Sequence, residues 1–410
     1  MKIIKAMLPS LDTTYPTLIL KASRGVIHHG ALAVARTLGR LGVPLYAVVD
    51  DGYSPLAMSR YLTRAFVWES WPGDLASFLK EMSTIAEFID HPTIIIPMDD
   101  LSAVCVAESA AGLARWFLLP LIPPQLPRQL ANKACLYALC AKIGIPSLRS
   151  VVPHSIDDVR AFAQGTAFPV VVKAADQWLL LHDRFSTKVI QTPRELFEFY
   201  EKINCAEHSR TILQEYIAGD DWISHGYSNA EKNIYVTFTG RKLRAYPADA
   251  GSTALGVSLG NETLRCQSEK FLKAVAYSGI TDMDWRKDDR DGQYKILDCN
   301  PRVGQNFRMF ENSAAIDVVR AQHLDLTGRC IDCAPMIDGR LFTVESFCLQ
   351  ALLRRPRRST LKPDVGIYLR PGGRELAWWS SDDPLPFLMM SMRLFIRVLG
   401  RALRHIAGRS

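Results

Sequence analysis

Short, wholly apolar runs punctuate the first hundred residues. Thr17–Leu20, Val43–Val49 and Thr93–Pro97 carry the pattern of strands buried on both faces. Between the first two, Ala31–Leu41 has apolar positions at helical spacing. Strand, loop, helix, strand in that order predicts a parallel α/β unit. Ligands of such sheets lie beyond the carboxyl ends of the strands. That is where the order puts the loop with Arg24, Gly25, His28, His29 and Gly30, and the pair Asp99 and Asp100 after the third strand. Each also has a plainer reading: a polar loop for the histidines, a helix N-cap for the aspartates. The first turn lacks the G-x-G-x-x-G spacing of a dinucleotide site.

Pro120–Pro127 reads as a linker, and Ala131–Ile143 as a helix stopped at Gly144 and Pro146. From near Ser150 the pattern becomes α+β. Strands are predicted at Pro169–Lys173, Thr211–Ile217 and Asn233–Thr239, and Thr281–Lys287 with Gln293–Cys299 form a hairpin about Asp288–Gly292. Ala250–Gly260, with three glycines, reads as a mobile loop over a substrate. The chain thus divides into an N-terminal α/β domain (1–125), a two-lobed α+β domain (126–335) and a C-terminal extension (336–410).

Length and composition fit this division. The 410 residues are too many for one core, and 48% hydrophobic with 22% charged is ordinary for a globular protein. No export signal or membrane-spanning run is evident, which predicts a cytoplasmic protein, at most peripheral at the inner face of the membrane. Nine scattered cysteines fit a reducing compartment; Cys330 and Cys333 form a lone C-x-x-C, read as ordinary thiols rather than zinc or redox ligands. The net charge of +7 is local: residues 351–410 hold twelve Lys/Arg against four Asp/Glu. With no basic residues interleaved with aromatics elsewhere, nucleic acid is not the expected partner.

The stretch Asp282–Arg302, DMDWRKDDRDGQYKILDCNPR, carries the chemistry. Residues two apart on a strand share a face, so Asp298 and Asn300 point the same way. A turn centred on Asp291 sets Asp284 opposite Asp298. Two facing carboxylates repel unless a cation lies between them. Two carboxylates and an amide oxygen form a hard ligand set suited to Mg²⁺. A solvated hairpin accounts for Asp288, Asp289 and Asp291 but poorly for D-C-N-P-R.

At this point the sequence resembles the ATP-grasp superfamily, and within it the carboxylate–amine ligase-like members. The family signature is an acid on one strand, a hairpin, then E-x-N-P-R; here Asp284 precedes D-C-N-P-R, with Asp298 in place of Glu. The resemblance covers roughly residues 17–330. It implies an N-terminal pre-ATP-grasp domain, a two-lobed ATP-grasp fold, and ATP with Mg²⁺ as cofactors. Lys133 in ANKACL and Lys173 in FPVVVKA then correspond to phosphate-binding lysines. In QEYIAGDD, Glu215 and the Tyr216–Ile217 backbone correspond to the adenine hinge, and Asp221, or its neighbour Asp220, to the ribose ligand. In GRKLRAYP, Lys242 and Arg244 share a strand face; one of them, Arg244 by our reading, neutralises the γ-phosphate or an acyl phosphate, the plainer reading being a solvated edge strand. Arg302 joins in stabilising the transferred group. The chain departs from the family at Ala174–Lys188, which has no glycine where a glycine-rich phosphate loop is common; His182, Arg184, Ser186 and Lys188 are the available substitutes. The implied reaction is ATP-dependent activation of a carboxylate as an acyl phosphate and its capture by an amine, with amino-acid or peptide-like substrates. The alternative is a nucleotide-binding protein without turnover, tethered by its tail.

In that tail, Arg354, Arg355, Arg357 and Arg358 form a basic run, and Leu385–Ile406 reads as one amphipathic helix. Arg393, Arg397, Arg401 and Arg404 fall on one face; Leu388, Met392, Phe395, Ile396, Leu399, Leu403 and Ile406 fall on the other. Such a helix suits either an anionic membrane surface or packing on the protein itself or a sister subunit in a homodimer.

Overall fold

The computed structural model describes residues 8–22, 28–175, 187–203, 211–247, 251–353 and 373–407. Three sheets organise them. The first is parallel, order β3-β2-β1-β4-β5, from β1 (Thr17–Leu20), β2 (Leu45–Val49), β3 (Arg64–Val67), β4 (Thr93–Pro97) and β5 (Phe117–Leu118). All four residues of β1 are buried, as a central strand covered on both faces requires. Two caps set the helices at its carboxyl edge. His28 Nδ1 accepts the Ala31 N–H at the head of the helix His29–Gly39, and Asp99 forms a capping box with Ser102 at the head of the helix Asp100–Glu108. Arg24 and Gly25, predicted for the same edge, lie outside the described residues.

The chain then leaves the first sheet through the helix Leu126–Ala131, which begins inside the predicted linker. A four-stranded antiparallel sheet follows, order β6-β9-β7-β8, from β6 (Ser150–Val151), β7 (Val170–Ala174), β8 (Lys188–Ile190) and β9 (Thr211–Glu215). A seven-stranded sheet completes the fold in the order β14-β13-β10-β11-β12-β15-β16. Its strands are β10 (Gly219–Asn229), β11 (Ile234–Tyr246), β12 (Ser252–Ser258), β13 (Gly279–Asp288), β14 (Tyr294–Asn300), β15 (Leu341–Thr343) and β16 (Arg374–Leu376).

Two readings are corrected here. Most of Ala250–Gly260 is not a loop: residues 252–258 form β12, paired with β11 and β15. Its glycine serves close packing, since a Cβ on Gly256 would stand 2.8 Å from Met309 Sδ. Ala250 itself lies outside the described residues. Asp288 is not a solvated turn residue but fully buried, accepting from Arg290 and Lys295.

One apolar core joins the first sheet to the seven-stranded one, from Ile19 and Leu32 through Ile223 and Phe310 to Trp378 and Met390. A second packs the helix Lys133–Ile143 under the β13–β14 hairpin, and a smaller one fills the four-stranded lobe. The segment after β16 is fastened to the first helix: the buried Arg36 donates to Asp383 at 3.1 Å and to the Trp378 carbonyl at 2.9 Å.

Candidate functional site

A cleft of about 290 Å³ opens between the four-stranded and seven-stranded sheets. One end is apolar, walled by Leu148, Val171, Val189, Ile217 and Leu297. The segment Glu215–Ile217, which carries the chain from β9 toward β10, forms its rim. Glu215 is anchored there by two donors, the Arg149 N–H at 3.0 Å and Arg290 Nη2 at 2.8 Å. Asp221, at the start of β10, accepts from Arg286 at 2.8 Å, and Arg286 also donates to the Ile217 carbonyl at 3.0 Å. The hinge sequence thus offers a flat apolar slot, a backbone edge and a carboxylate.

The other end is charged. Antiparallel pairing of β13 with β14 sets Asp284 directly opposite Asp298, and Asp282 opposite Asn300. Each carboxylate holds a cation from a different element. Lys133 Nζ donates to Asp298 at 2.8 Å, Lys242 Nζ lies 2.7 Å from Asp284, and Arg302 Nη1 donates to Asp282 at 2.9 Å. Arg302 also reaches Asp100 of the first domain at 3.4 Å. Lys133 owes its position to the Asn132 cap, whose side chain accepts the Cys135 N–H, and to its own N–H on the Ala175 carbonyl just past β7.

The charges of this cluster are displaced in opposite directions. Burial raises the Asp284 pKa; Lys242 opposes it, and the neighbouring Asp282 and Asp298 reinforce it. Asp298 feels the same burial, but the Lys133 ammonium, joined by Lys173 and Arg302, outweighs it and holds the group low. Asp282 is likewise held low against its burial, by His225 and Arg302. Burial pushes Asp100 up to about 6 against the pull of Arg302. Lys173 is brought down to about 8 by burial and by the like charge of Lys133. It lines the cleft and makes no ion pair among the described residues. Burial also lowers His29 to about 3, so this cleft-lining imidazole is neutral.

The structure therefore brings Lys173, Glu215, Tyr216, Ile217, Asp221, Asp284, Asp298, Asn300 and Arg302 to one cleft, with Lys133 directly behind Asp298. Arg244 is not brought there. Bulges in the β11–β12 ladder, on either side of Arg244, break the two-residue alternation, so Lys242 and Ala245 line the cleft and Arg244 does not. Lys188 turns away too, to 3.7 Å from Glu195; His182, Arg184 and Ser186 lie outside the described residues. Cys330 and Cys333 are exposed free thiols.

Residues that support the cleft from behind, and Arg286 within it, escaped the sequence reading. His225 is fully buried on β10, with Nε2 2.6 Å from Asp282 Oδ1. Gly304 makes room for that pair, since a Cβ there would lie 2.6 Å from Asp282 Oδ2 and overlap His225. Arg286 braces the hinge. Pairing across β10 and β13 is the signal that would have found His225, and it spans 57 residues.

The donor set fits a hard divalent cation. Asp284 and Asp298 face one another, and Asn300, whose Nδ2 donates to the Asp282 carbonyl at 3.0 Å, keeps its amide oxygen out of any hydrogen bond among the described residues. Among those residues no group of three or more His, Cys, Asp or Glu side chains forms a metal cage. The set is a partial one that leaves positions for water and phosphate.

No family model matches the chain. Among curated proteins it is similar to the D-aspartate ligase of Enterococcus faecium (strain Aus0004), 24% identical over 226 residues, covering 52% of this chain and 54% of that protein. The chain thus spans about half the length of the curated relative it matches. Among solved structures it is similar to the N5-carboxyaminoimidazole synthetase of Staphylococcus aureus complexed with ADP (TM-score 0.59, 11% identity, 78% of this chain and 80% of that one). It is similar also to the L-amino acid ligase of Bacillus licheniformis (0.58, 12%, 79% of each). A third is the biotin carboxylase domain of the Hydrogenobacter thermophilus 2-oxoglutarate carboxylase with MgADP (0.57, 15%, 78% of this chain and 71% of that one). These likenesses establish the architecture: the chain has the ATP-grasp fold.

Proposed function

We propose that the chain is an ADP-forming ligase that activates a carboxylate with ATP and joins it to an amine. The observation that carries this reading is the convergence, at one end of the cleft, of the facing Asp284–Asp298 pair with Lys242 of the seven-stranded sheet, Lys173 of the four-stranded one and Lys133 behind Asp298. The similarity to D-aspartate ligase supports it, as do folds shared with an L-amino acid ligase and an ADP-bound synthetase.

In this reading the base lies in the apolar slot against the Tyr216–Ile217 backbone, and Asp221 holds the ribose. Lys173 and Lys133 approach the phosphates from the small lobe and Lys242 from the large one. Mg²⁺, held by Asp284, Asp298 and Asn300, would offset charge on the transferring phosphoryl group. Lys242, in place of Arg244, is the cation of β11 that serves this end. A substrate carboxylate oriented by Arg302 attacks the γ-phosphorus, ADP leaves, and an acyl phosphate results. An amine then attacks the acyl carbon and phosphate leaves with the bonding pair, giving an amide; the amine proton passes to phosphate or water. The acid and amine, amino-acid or peptide-like, enter beside His29, Thr253 and Asn306, where the cleft continues past the charged cluster.

The test is ADP release measured against a panel of amino acids and short peptides, singly and in pairs, with hydroxylamine as a trap for the acyl phosphate. ADP formation that requires an acid, and an acyl hydroxamate in the trap, are expected. Saturable ATP binding with no acid-dependent ADP release across the panel refutes the ligase in favour of a binding protein without turnover.

A further inference from the structure

The helix Leu385–Ala407 is built unlike the others among the described residues. Its root is fixed: Met390 is 3% exposed in the main core, Phe387 packs against the same core, and Arg393 pairs with Asp51 after β2. Trp378, just upstream, packs its ring on the cleft-lining His29 at 5.7 Å. Beyond the root the apolar side chains turn outward. Leu388, Met392, Phe395, Ile396 and Leu399 recur at helical spacing and are 55%, 49%, 66%, 58% and 47% exposed. Scattered exposed leucines need no explanation, but an uninterrupted stripe of them does.

Charge identifies what covers it. The helix carries Arg393, Arg397, Arg401 and Arg404 and no Asp or Glu, within a tail of twelve basic and four acidic residues. Laying two such helices together would gather eight arginines without one acid. A bilayer rich in anionic lipid supplies the opposite charge and an apolar layer for the stripe. Nor can the helix cross: among the described residues none is long and apolar enough to do so. We infer that this helix is a peripheral docking surface for an anionic phospholipid bilayer, lying in the interface with its Leu388–Leu399 stripe in the acyl region and its basic face beyond Arg393 at the headgroups.

The test uses the full chain, pelleted with vesicles of phosphatidylcholine alone and of equal parts phosphatidylcholine and phosphatidylglycerol, alongside sedimentation velocity without lipid. Binding to the mixed vesicles, weakened by salt, is expected, and little to the zwitterionic ones. Arg397→Gln with Arg401→Gln should lower the partition coefficient roughly 25-fold, at about fivefold per arginine. Phe395→Asp with Leu399→Asp, both at exposed positions where folding is not at stake, should lower it at least about a hundredfold with an unchanged melting temperature. Equal soluble fractions with both vesicle types overturn the inference. So does a wild-type dimer that the Phe395→Asp/Leu399→Asp variant dissolves while neither protein pellets, which assigns the stripe to a second copy.

Discussion

The two aspartates that face each other across the hairpin are interchangeable in motif, yet they should respond oppositely to the same substitution. Asp298 is held low by Lys133, so its ionised form is favoured by folding. That contribution is present above the unfolded carboxylate range and is lost as pH falls through the lowered folded value. Asp298→Asn at pH 7.5 removes it and strands Lys133, which is 2% exposed, without its 2.8 Å partner. Breaking a buried pair from one side costs about 3–5 kcal/mol. Asp284 is raised, so folding favours its protonated form and works against the charge at neutral pH. Its repulsion from Asp298 is about 3 kcal/mol for charges roughly 5 Å apart at an effective dielectric of about 20. Either substitution removes that repulsion, but only Asp284 is left raised in spite of its cation; Asp284→Asn does take the 2.7 Å partner of Lys242, which keeps the fields of Asp221 and Asp282. The ligand-free protein should therefore melt close to the wild-type temperature with Asp284→Asn, and about 4–6 °C lower with Asp298→Asn, at about 1.2 °C per kcal/mol for a chain of 410 residues.

The response to Mg-ATP should not distinguish the two. At a hundredfold excess over its dissociation constant, ATP stabilises the wild type by about 2.7 kcal/mol, or about 3 °C. Both variants should lose most of that shift, and the wild type should lose it in EDTA. The measurement is scanning calorimetry of the three proteins with ATP and either Mg²⁺ or EDTA. A destabilising Asp284→Asn beside a neutral Asp298→Asn would refute the charge assignment. A full Mg²⁺-dependent shift in either variant would refute the metal site.

Three further outcomes test the surroundings of the cluster. Lys173, poised at about 8 by burial and Lys133, is charged below that pH and neutral above it, so kcat/KM for ATP should fall through pH 8–9; Lys173→Arg should move that limb beyond the accessible range. Gly304→Ala would press its Cβ on Asp282 and His225, costing about 1–3 kcal/mol in urea unfolding and slowing ADP release by misplacing Arg302. Asp383→Ala leaves the buried Arg36 without its carboxylate and should cost about 3–5 kcal/mol, read from the urea midpoint, with the ATP dissociation constant unchanged.

How far the sequence could be read depended on how local each determinant is. The Asp284–Asp298 register was legible because a short turn set it, and it holds although a bulge follows at once between Asp284 and Trp285. The helix that carries Lys133 was legible through its stop at Gly144 and Pro146, whose conformational preferences act within a turn or two, while its Asn132 cap was not read. Arg244 failed because alternation holds only for an unbroken ladder, and nothing in GRKLRAYP marks its irregularities. Residues 252–258 failed because glycine was weighed as freedom where it provides room for Met309. Asp288 failed because its neutralisers, Arg290 and Lys295, are themselves turn-region residues that look solvated until the hairpin folds back on Glu215.

The Asp288 miss turned on charge compensation, which a one-dimensional reading of motifs cannot weigh. Asp282, Asp284 and Asp298 crowd one end of the cleft, and in the ligand-free fold each is matched by Arg302, Lys242 or Lys133. The side chains that would meet phosphate are thus the ones that keep the acids from expelling one another. Each cation can leave its carboxylate only when another positive charge arrives, and each carboxylate can take up that charge only when its cation has somewhere anionic to go. Metal and triphosphate should accordingly bind as a unit. ATP in EDTA, or Mg²⁺ without nucleotide, should each shift the melting temperature by less than half of what the two achieve together, and additive shifts would show that these pairs do not exchange partners.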